Sequence, residues 1–382
     1  MELAQLNGDD PGTVIAALRR MLDGTGPALA IGGDPAGSPH TVPAGTGVVV
    51  TTSGSTGIPK SVLLSRAALE ASAAATAARI GSGAWLLALP AGYIAGLQVA
   101  LRSLRAGHAP VILSGRFTPD AFRAATDALP VGSGRYTSFV PAQLRTLLDA
   151  PDPGVADALR SYDAILVGGQ ALPVALRERA HDAGIRIVRT YGSTETCGGC
   201  VYDGVPLDGV AVRIAGAEVQ LSGPMLADGY LGDPDRTADA FPAAPDGTRW
   251  YRTGDAGTFD GRALAVTGRL DNVIVSGGVN VSLDRVERAV REVPGFAGAV
   301  VVGVPDDRWG EASVVVAARS DVAGTEAGLQ RVRDAAAAAI GAHARPSRLL
   351  VLAELPHLSS GKPDRARIRD LARTAATESH HP

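Results

Sequence analysis

The chain has 382 residues, 46% of them hydrophobic and 20% charged, with a formal charge of −3. That length exceeds one comfortable core, so two domains of a globular protein are expected. There is no basic excess of the kind a nucleic-acid or anionic-membrane binder needs, and no apolar run approaches a membrane span, so neither nucleic acid nor membrane insertion is expected.

From the N-terminus, Met1–Asp10 lacks the basic flank and apolar stretch of a secretion signal, and the cytoplasm is the expected compartment. Short apolar runs bounded by Gly or Pro then read as buried strands: Thr46–Thr52, Ala84–Leu89, Pro110–Leu113, Thr137–Val140, Ala164–Val167 and Arg186–Thr190. Helical patterns lie between them. Ser65 caps one that runs through Arg79 with Leu69, Ala73, Ala77 and Ile80 on one face, and Leu172–Ala183 forms another, closed by Gly184. This alternation implies α/β layers with a largely parallel sheet.

The texture changes after about Val201. Val210–Gly216 and Ala217–Ser222 read as antiparallel strands of a β-rich subdomain. Near Gly268–Asn272 the chain crosses into a smaller unit. There Asp284 and Glu287 read as a capping pair for a helix through Val293, followed by Val300–Val304, Ser313–Ala317, a helix around Leu329–Ile340, and Leu349–Leu352. The expected organisation is a large α/β domain over 1–269, a small α+β domain over 270–373, and a flexible tail over 374–382.

Thr51-Thr52-Ser53-Gly54-Ser55-Thr56-Gly57-Ile58-Pro59-Lys60 is the strongest local signal. A strand leads into it, Gly54 and Gly57 permit close approach of a ligand, and Ser53, Ser55 and Thr56 add hydroxyl donors. Backbone N–H groups in such a turn form an anion-binding concavity, to which Lys60 adds positive charge, so polyphosphate is the natural ligand. Pro59 before Lys60 breaks the Walker pattern and argues against that class of nucleotide-binding loop.

Further along, Tyr191-Gly192-Ser193-Thr194-Glu195 offers a ring to stack on a purine, a hydroxyl for a phosphate, and a hard oxygen for Mg²⁺. Gly168-Gly169-Gln170 follows the strand Ala164–Val167, at the strand end where ligands of open α/β sheets sit; Gln170 can meet a base, meet an acyl group, or cap a helix. Asp255, in Tyr251-Arg252-Thr253-Gly254-Asp255, suits two neighbouring hydroxyls, although a plain turn also explains it. Cys197 and Cys200, the only cysteines, have no second pair with which to hold zinc and read as small reduced packing residues.

Taken in order, these segments resemble the acyl-adenylate-forming superfamily of acyl-CoA ligases, luciferases and adenylation domains. Two more carry the resemblance: Gly268-Arg269-Leu270-Asp271-Asn272 with Ser276-Gly277-Gly278-Val279-Asn280, and Pro356-His357-Leu358-Ser359-Ser360-Gly361-Lys362. The resemblance implies a large mixed-sheet domain and a mobile C-terminal domain turning about Asp271. It implies ATP or AMP at Thr52–Gly57, Lys60, Gly169, Gln170, Tyr191, Gly192, Asp255 and Arg269, and Mg²⁺ at Glu195 and Thr56. Thr194, Glu195 and Lys362 are the implied catalytic residues, and Gly277 and Gly278 line a CoA channel.

The phosphate loop begins near residue 51, earlier than in typical members. That short lead, with Leu89–Val99, Arg102–Leu104 and Thr194–Cys200, is most similar to the compact 2-succinylbenzoate–CoA ligases of menaquinone synthesis. The implied substrates are then a carboxylic acid, ATP and CoA, with Tyr93, Gln98, Ser138, Gly168 and Thr196 as acyl-site candidates. The alternatives are a CoA ligase for another acyl or aryl acid, and a non-catalytic adenylate-binding protein; a homodimer is left open.

Overall fold

The structure is a computed structural model that describes residues 1–32, 41–53, 59–319, 325–358 and 361–378. Gly54, Ser55, Thr56 and Gly57 of the expected phosphate loop lie outside the described residues, as does the side chain of Ser53.

Three sheets make up the chain through Arg269. The first runs in the order Leu3–Leu6, Ala28–Ile31, Thr46–Ser53, Pro59–Ser65, Gly229–Tyr230. Its first three strands are parallel, and Pro59–Ser65 turns back antiparallel on Thr46–Ser53, pairing Thr52 with Lys60. The second sheet has Gly83–Leu87, Gly134–Phe139, Ala164–Val167 and Ile187–Ser193 as parallel neighbours. Val111–Ile112 extends it on one side, and antiparallel Gly198–Tyr202 and Val205–Pro206 extend it on the other. The third is an antiparallel meander of Ala211–Ala215, Glu218–Ser222, Tyr251–Phe259 and Leu264–Arg269.

Local chemistry explains the helices that cover these sheets. Ser65 Oγ accepts the Ala68 amide at 3.2 Å and starts the helix Arg66–Ile80, and Gly81, at φ +96°, ends it. The buried face of this helix is Ala68, Leu69, Ser72, Ala73 and Thr76, whereas Ala77 and Ile80 are half-buried. Two polar side chains thus occupy places where an apolar stripe was expected. Each has a buried partner that offsets its desolvation: Ser72 Oγ donates to the Cys197 carbonyl at 3.0 Å, and Thr76 Oγ1 meets the Tyr202 hydroxyl at 2.9 Å.

The largest core joins the first and third sheets to the helices Pro11–Leu22, Arg66–Ile80 and Ile94–Arg105. A second core, around Phe122, Phe139 and Tyr162, fills the far face of the parallel sheet. Burying each such side chain contributes about 1.5–3 kcal/mol.

The strands beyond Arg269 form their own sheet: Val279–Ser282, Val273–Ser276, Gly310–Ala318, Val300–Asp306, with Arg348–Leu352 beside Gly310–Ala318. Its two faces are covered by the helices Leu283–Arg291 with Thr325–Ala339 and by Arg365–Glu378. The last helix runs to Glu378, past the point where the tail was expected, and Ile368 and Ala372 anchor it to Val300 and Val302. The expected capping pair does not form. Ser282 is the N-cap, Asp284 reaches back to the Arg269 amide at 2.6 Å and to Asn272 Nδ2 at 2.8 Å, and Glu287 is committed to arginines. Among the described residues no helix is long and apolar enough to cross a membrane.

Candidate active site

Elements of the first three sheets converge on a cleft of about 430 Å³. Lys60 enters from the start of the strand Pro59–Ser65 in the first sheet. Tyr191, Gly192, Ser193 and Glu195 come from the end of the parallel sheet, and Asp255 and Arg269 from the meander. Stretches far apart in sequence meet because each sits where a strand ends or bends.

Lys60 Nζ and Glu195 Oε1 form an ion pair at one side of the cleft. Tyr230 donates its hydroxyl to the same oxygen at 3.0 Å, and its ring lies 5.2 Å from Lys60 Nζ. Burial pushes the Glu195 carboxyl up, but the charge and hydrogen bond of Lys60 outweigh it and hold the carboxyl below its ordinary value. Across the cleft, the Tyr191 hydroxyl donates to Asp255 Oδ2 at 2.6 Å and Arg269 Nη1 donates to Asp255 Oδ1 at 3.2 Å. Burial nevertheless wins at Asp255 and raises its carboxyl. The Arg269 fork closes on Asp271 through Nε and Nη2, each at 2.9 Å.

Lys362 comes from the small domain and stands over the end of the strand Ala164–Val167. A methyl group built on Gly169 would lie 3.3 Å from Lys362 Cε. Crowding by the large domain lowers the Lys362 ammonium, although the residue as a whole keeps an exposed surface. Gly169 adopts φ +80°, and a Cβ on Gly168 would stand 2.3 Å from Thr190 Oγ1, so this turn needs glycine at both positions. Gln170 and Ser138 stay close by in sequence and pairing, Gln170 half-buried beyond the turn and Ser138 buried beside Leu166.

Other expected residues also have local structural roles. The Thr196 hydroxyl is consumed inside its own turn: it accepts the Ser193 amide at 2.8 Å and donates to the Ser193 and Gly198 carbonyls. Gly192 answers a packing demand, since a Cβ there would sit 2.1 Å from the Gly198 carbonyl oxygen. Thr194 is buried in the same short helical turn as Glu195. Tyr93 is the N-cap of the helix Ile94–Arg105. Gly277 and Gly278 form the exposed hairpin turn of the small domain, against Trp309, and are not among the residues lining the cleft. Both cysteines are free and buried, with burial raising the Cys200 thiol to about 12 and the Cys197 thiol further, so neither is a ready nucleophile.

Sequence reasoning missed three contributors. Tyr230 gives no local signal; only the pairing of Gly229–Tyr230 with Val62 and Leu63 delivers it. Glu218 accepts from Arg252 Nε at 2.9 Å and from the Gly254 amide at 3.1 Å, bracing the turn that presents Asp255. Arg102, 8% exposed, lies with its guanidinium 5.4 Å from the Trp85 ring, and its Nε has no hydrogen-bond partner. It borders a separate hollow of about 310 Å³ between the helices Arg66–Ile80 and Ile94–Arg105. One helical turn earlier, Gln98 Oε1 is equally buried and unpartnered, and a Cβ on Gly198 would stand 3.4 Å from Gln98 Cγ. An arginine inside the apolar helix, four residues after a glutamine, was the legible sign of this polar stripe.

The donor set suits a metal ion carried by phosphates. Glu195 offers a carboxylate to the cleft, and among the described residues no cluster of His, Cys, Asp and Glu forms an all-protein cage. Mg²⁺ is held in that way, by one or two carboxylates and substrate phosphates.

Comparison with known proteins agrees with this geometry. Residues 15–230 match the AMP-binding enzyme family and residues 285–362 its C-terminal domain. A probable 2-succinylbenzoate–CoA ligase of Mycobacterium tuberculosis is 40% identical over 376 residues, 94% of this chain and 95% of that protein. The indoleacetate–CoA ligase of Aromatoleum aromaticum is 31% identical, over 85% of this chain and 67% of that protein. The o-succinylbenzoate CoA synthetase of Bacillus subtilis, solved with its acyl-adenylate intermediate, shares the fold with a TM-score of 0.74 at 23% identity, over 96% of this chain and 88% of that one. The chain belongs to the AMP-binding enzyme family.

Proposed function

We propose that this chain is a 2-succinylbenzoate–CoA ligase of menaquinone biosynthesis, acting in the cytoplasm, with residues 1–269 as its ATP- and acyl-binding domain and 270–373 as a small domain that turns about Asp271. The observation that carries the reading is the convergence of Lys60, Glu195, Asp255 and Arg269 on one cleft, with the Lys362 side chain against Gly169.

In the first step an oxygen of the succinyl carboxylate attacks the α-phosphorus of ATP. The bond to the bridging oxygen breaks, leaving acyl-AMP and pyrophosphate. Positioning and charge neutralisation supply most of such a reaction's acceleration. Asp255 accepts the ribose hydroxyls, Tyr191 flanks the purine, and Lys60 and the Thr52–Gly57 loop receive the leaving phosphates. Lys362 and Thr194 meet the charge that develops on the α-phosphate. Mg²⁺, held by Glu195 and by Thr56 of the loop, would neutralise phosphate charge. In the second step the CoA sulfur attacks the acyl carbon and AMP leaves. The small domain then presents Gly277 and Gly278 to the thiol while Lys362 withdraws.

The substrate assignment rests on charge. Activation consumes one carboxylate of 2-succinylbenzoate and leaves the benzoate carboxylate buried. Arg102 is the buried cation that can receive it, and Arg102 Nε is an open donor for a carboxylate oxygen. The names of the Mycobacterium tuberculosis and Bacillus subtilis relatives support the same acid. The test is turnover with 2-succinylbenzoate, MgATP and CoA beside a panel of benzoates and arylacetates, with mass detection of the thioester. A 2-succinylbenzoyl thioester is expected. Thioester from another aromatic acid with none from 2-succinylbenzoate overturns the assignment.

A further inference from the structure

We propose that Glu287 and Arg365, neither of which reaches the cleft, are positioning residues for Lys362, and that adenylation depends on their buried ion pair. This inference rests on the reading of Lys362 given above.

Lys362 lies on a narrow hairpin that crosses from the small domain to the large one. Leu358 N donates to the Lys362 carbonyl at 2.8 Å, Gly361 N to the Leu358 carbonyl at 2.9 Å, and Asp364 N to the Pro356 carbonyl at 2.9 Å. These bonds fix the hairpin's shape but not its place. Its place is set three residues after Lys362, where the helix Arg365–Glu378 begins. Arg365 Nη2 donates to both oxygens of Glu287 at 2.7 Å, and Nη1 donates to the Val301 carbonyl at 3.1 Å. Glu287 also accepts the Val301 amide at 2.9 Å and meets Arg291 at 2.8 Å. One guanidinium is thereby locked to a helix, Leu283–Arg291, and to a strand, Val300–Asp306.

The network is anchored at depth: the Glu287 and Arg291 side chains are 7% and 10% exposed, while Arg365 reaches them from a side chain 38% exposed. Burying two charges is a poor route to stability, because desolvation offsets most of the attraction; what such a pair supplies is a fixed geometry. A fixed geometry is what this hairpin needs. Lys362 is a long flexible side chain that has to place a cation to within a fraction of an ångström on another domain, and Arg365, three residues on, is tied to both a helix and a strand. In the second half-reaction Lys362 is withdrawn, so the anchor has no such duty there.

The experiment separates the half-reactions. A neutral pair of matching size, Glu287→Gln with Arg365→Met, made together with Arg291→Met because Arg291 shares Glu287, keeps the core filled without an orphaned charge. Adenylation, read as pyrophosphate release, is expected to fall about tenfold to a hundredfold, the loss that follows from misplacing a reacting group. The KM for ATP and the rate of thioester formation from supplied acyl-AMP should stay at the wild-type values. Should the neutral pair fail to fold, Arg365→Lys retains the charge without the threefold grip and is expected to show the same split. Wild-type adenylation in whichever variant folds, or equal loss in both half-reactions, overturns the proposal. Lys362→Ala is the control for the reading beneath it. If that variant adenylates normally, the role given to Lys362 fails first, whereas a defective Lys362→Ala beside a normal anchor variant refutes the anchor alone.

Discussion

Lys60 and Glu195 neutralise each other at one side of the cleft, although 135 residues separate them in sequence. Glu195 is almost fully buried and Lys60 is one-quarter exposed, so the carboxylate bears most of the desolvation and depends on the lysine for compensation. The pair joins the strand that leaves the phosphate loop to the turn that ends the parallel sheet, and it keeps a cation and a carboxylate side by side where a triphosphate and its metal would separate them.

Removing Lys60 should therefore reverse the sign of a pH dependence. In the wild type the Glu195 carboxyl sits below 4.5, so the pair's contribution is present above that pH and is lost as the pH falls through the depressed value. In Lys60→Met burial, the largest influence on this carboxyl, is opposed only by hydrogen bonds and no longer by a charge, and the carboxyl is expected to rise above 4.5. The folded state then holds a proton that the unfolded state releases, so stability declines as the pH rises from 4.5 toward neutrality. Melting temperatures of the two proteins should draw apart between those limits. The loss near neutral pH is expected toward the low end of the ~3–5 kcal/mol found on breaking buried pairs. Parallel melting curves across the range would rule out the coupling.

Asp255 supplies a second pH effect of opposite origin. Its carboxyl is raised by burial in spite of the hydrogen bond from Tyr191 and the charge of Arg269. Arg269→Met removes that charge, so the carboxyl must rise further and the acid limb of kcat/KM for ATP should move to higher pH. Asp255→Ala removes the acceptor altogether. With hydrogen bonds to charged groups worth about 1.5–3 kcal/mol, its KM for ATP should rise about 10- to 100-fold. An acid limb that stays put in Arg269→Met would show that Asp255 does not control nucleotide binding.

How far the sequence could be read depended on range. Ser65 and Gly81 announce the ends of a helix through bonds to their own neighbours, and Ala164–Val167 is apolar, short and found as expected. Residues such as Lys60, Tyr191, Glu195 and Asp255 were recognisable because each lies in a stretch whose order carries the resemblance, and the structure brings all four to one cleft. Long-range partners were not legible. Nothing in Gly229–Tyr230 says that it will pair with Leu63 and Val62, and nothing in Asp284 says that its carboxylate will leave the helix start for the Arg269 amide. Nor does the sequence announce that the Thr196 hydroxyl bonds within its own turn, to the Ser193 amide and to the Ser193 and Gly198 carbonyls.

Arg102 offers a direct test of the acid. Arg102→Ala should raise the KM for 2-succinylbenzoate by at least about 30-fold, the lower bound for truncating one partner of a buried charge pair. The KM for ATP should not change. An analogue without the benzoate carboxylate, 4-oxo-4-phenylbutanoate, should be used equally poorly by wild type and variant, because neither can form the pair. Steady-state kinetics on the four combinations isolates the interaction. Equal sensitivity of both acids to the substitution would make Arg102 a packing residue.

Gly169 tests the contact that Lys362 makes with the turn after Ala164–Val167. The residue has φ +80°, a conformation that costs an L-residue about 1–2 kcal/mol, and an added methyl would stand 3.3 Å from Lys362 Cε and 3.7 Å from Val140 Cγ1. The neighbour that can yield is the end of a flexible lysine, so Gly169→Ala should fold, with a modest fall in melting temperature, and displace the ammonium instead. Adenylation should then drop while thioester formation from supplied acyl-AMP persists, because in that step Lys362 has already left the turn. Lys362→Ala should show the same split more severely, and combining the two substitutions should add little, since the methyl has nothing left to displace. Additive losses in the double variant would mean that Gly169 and Lys362 act on different steps, and that their contact in this structure is not the one that serves catalysis.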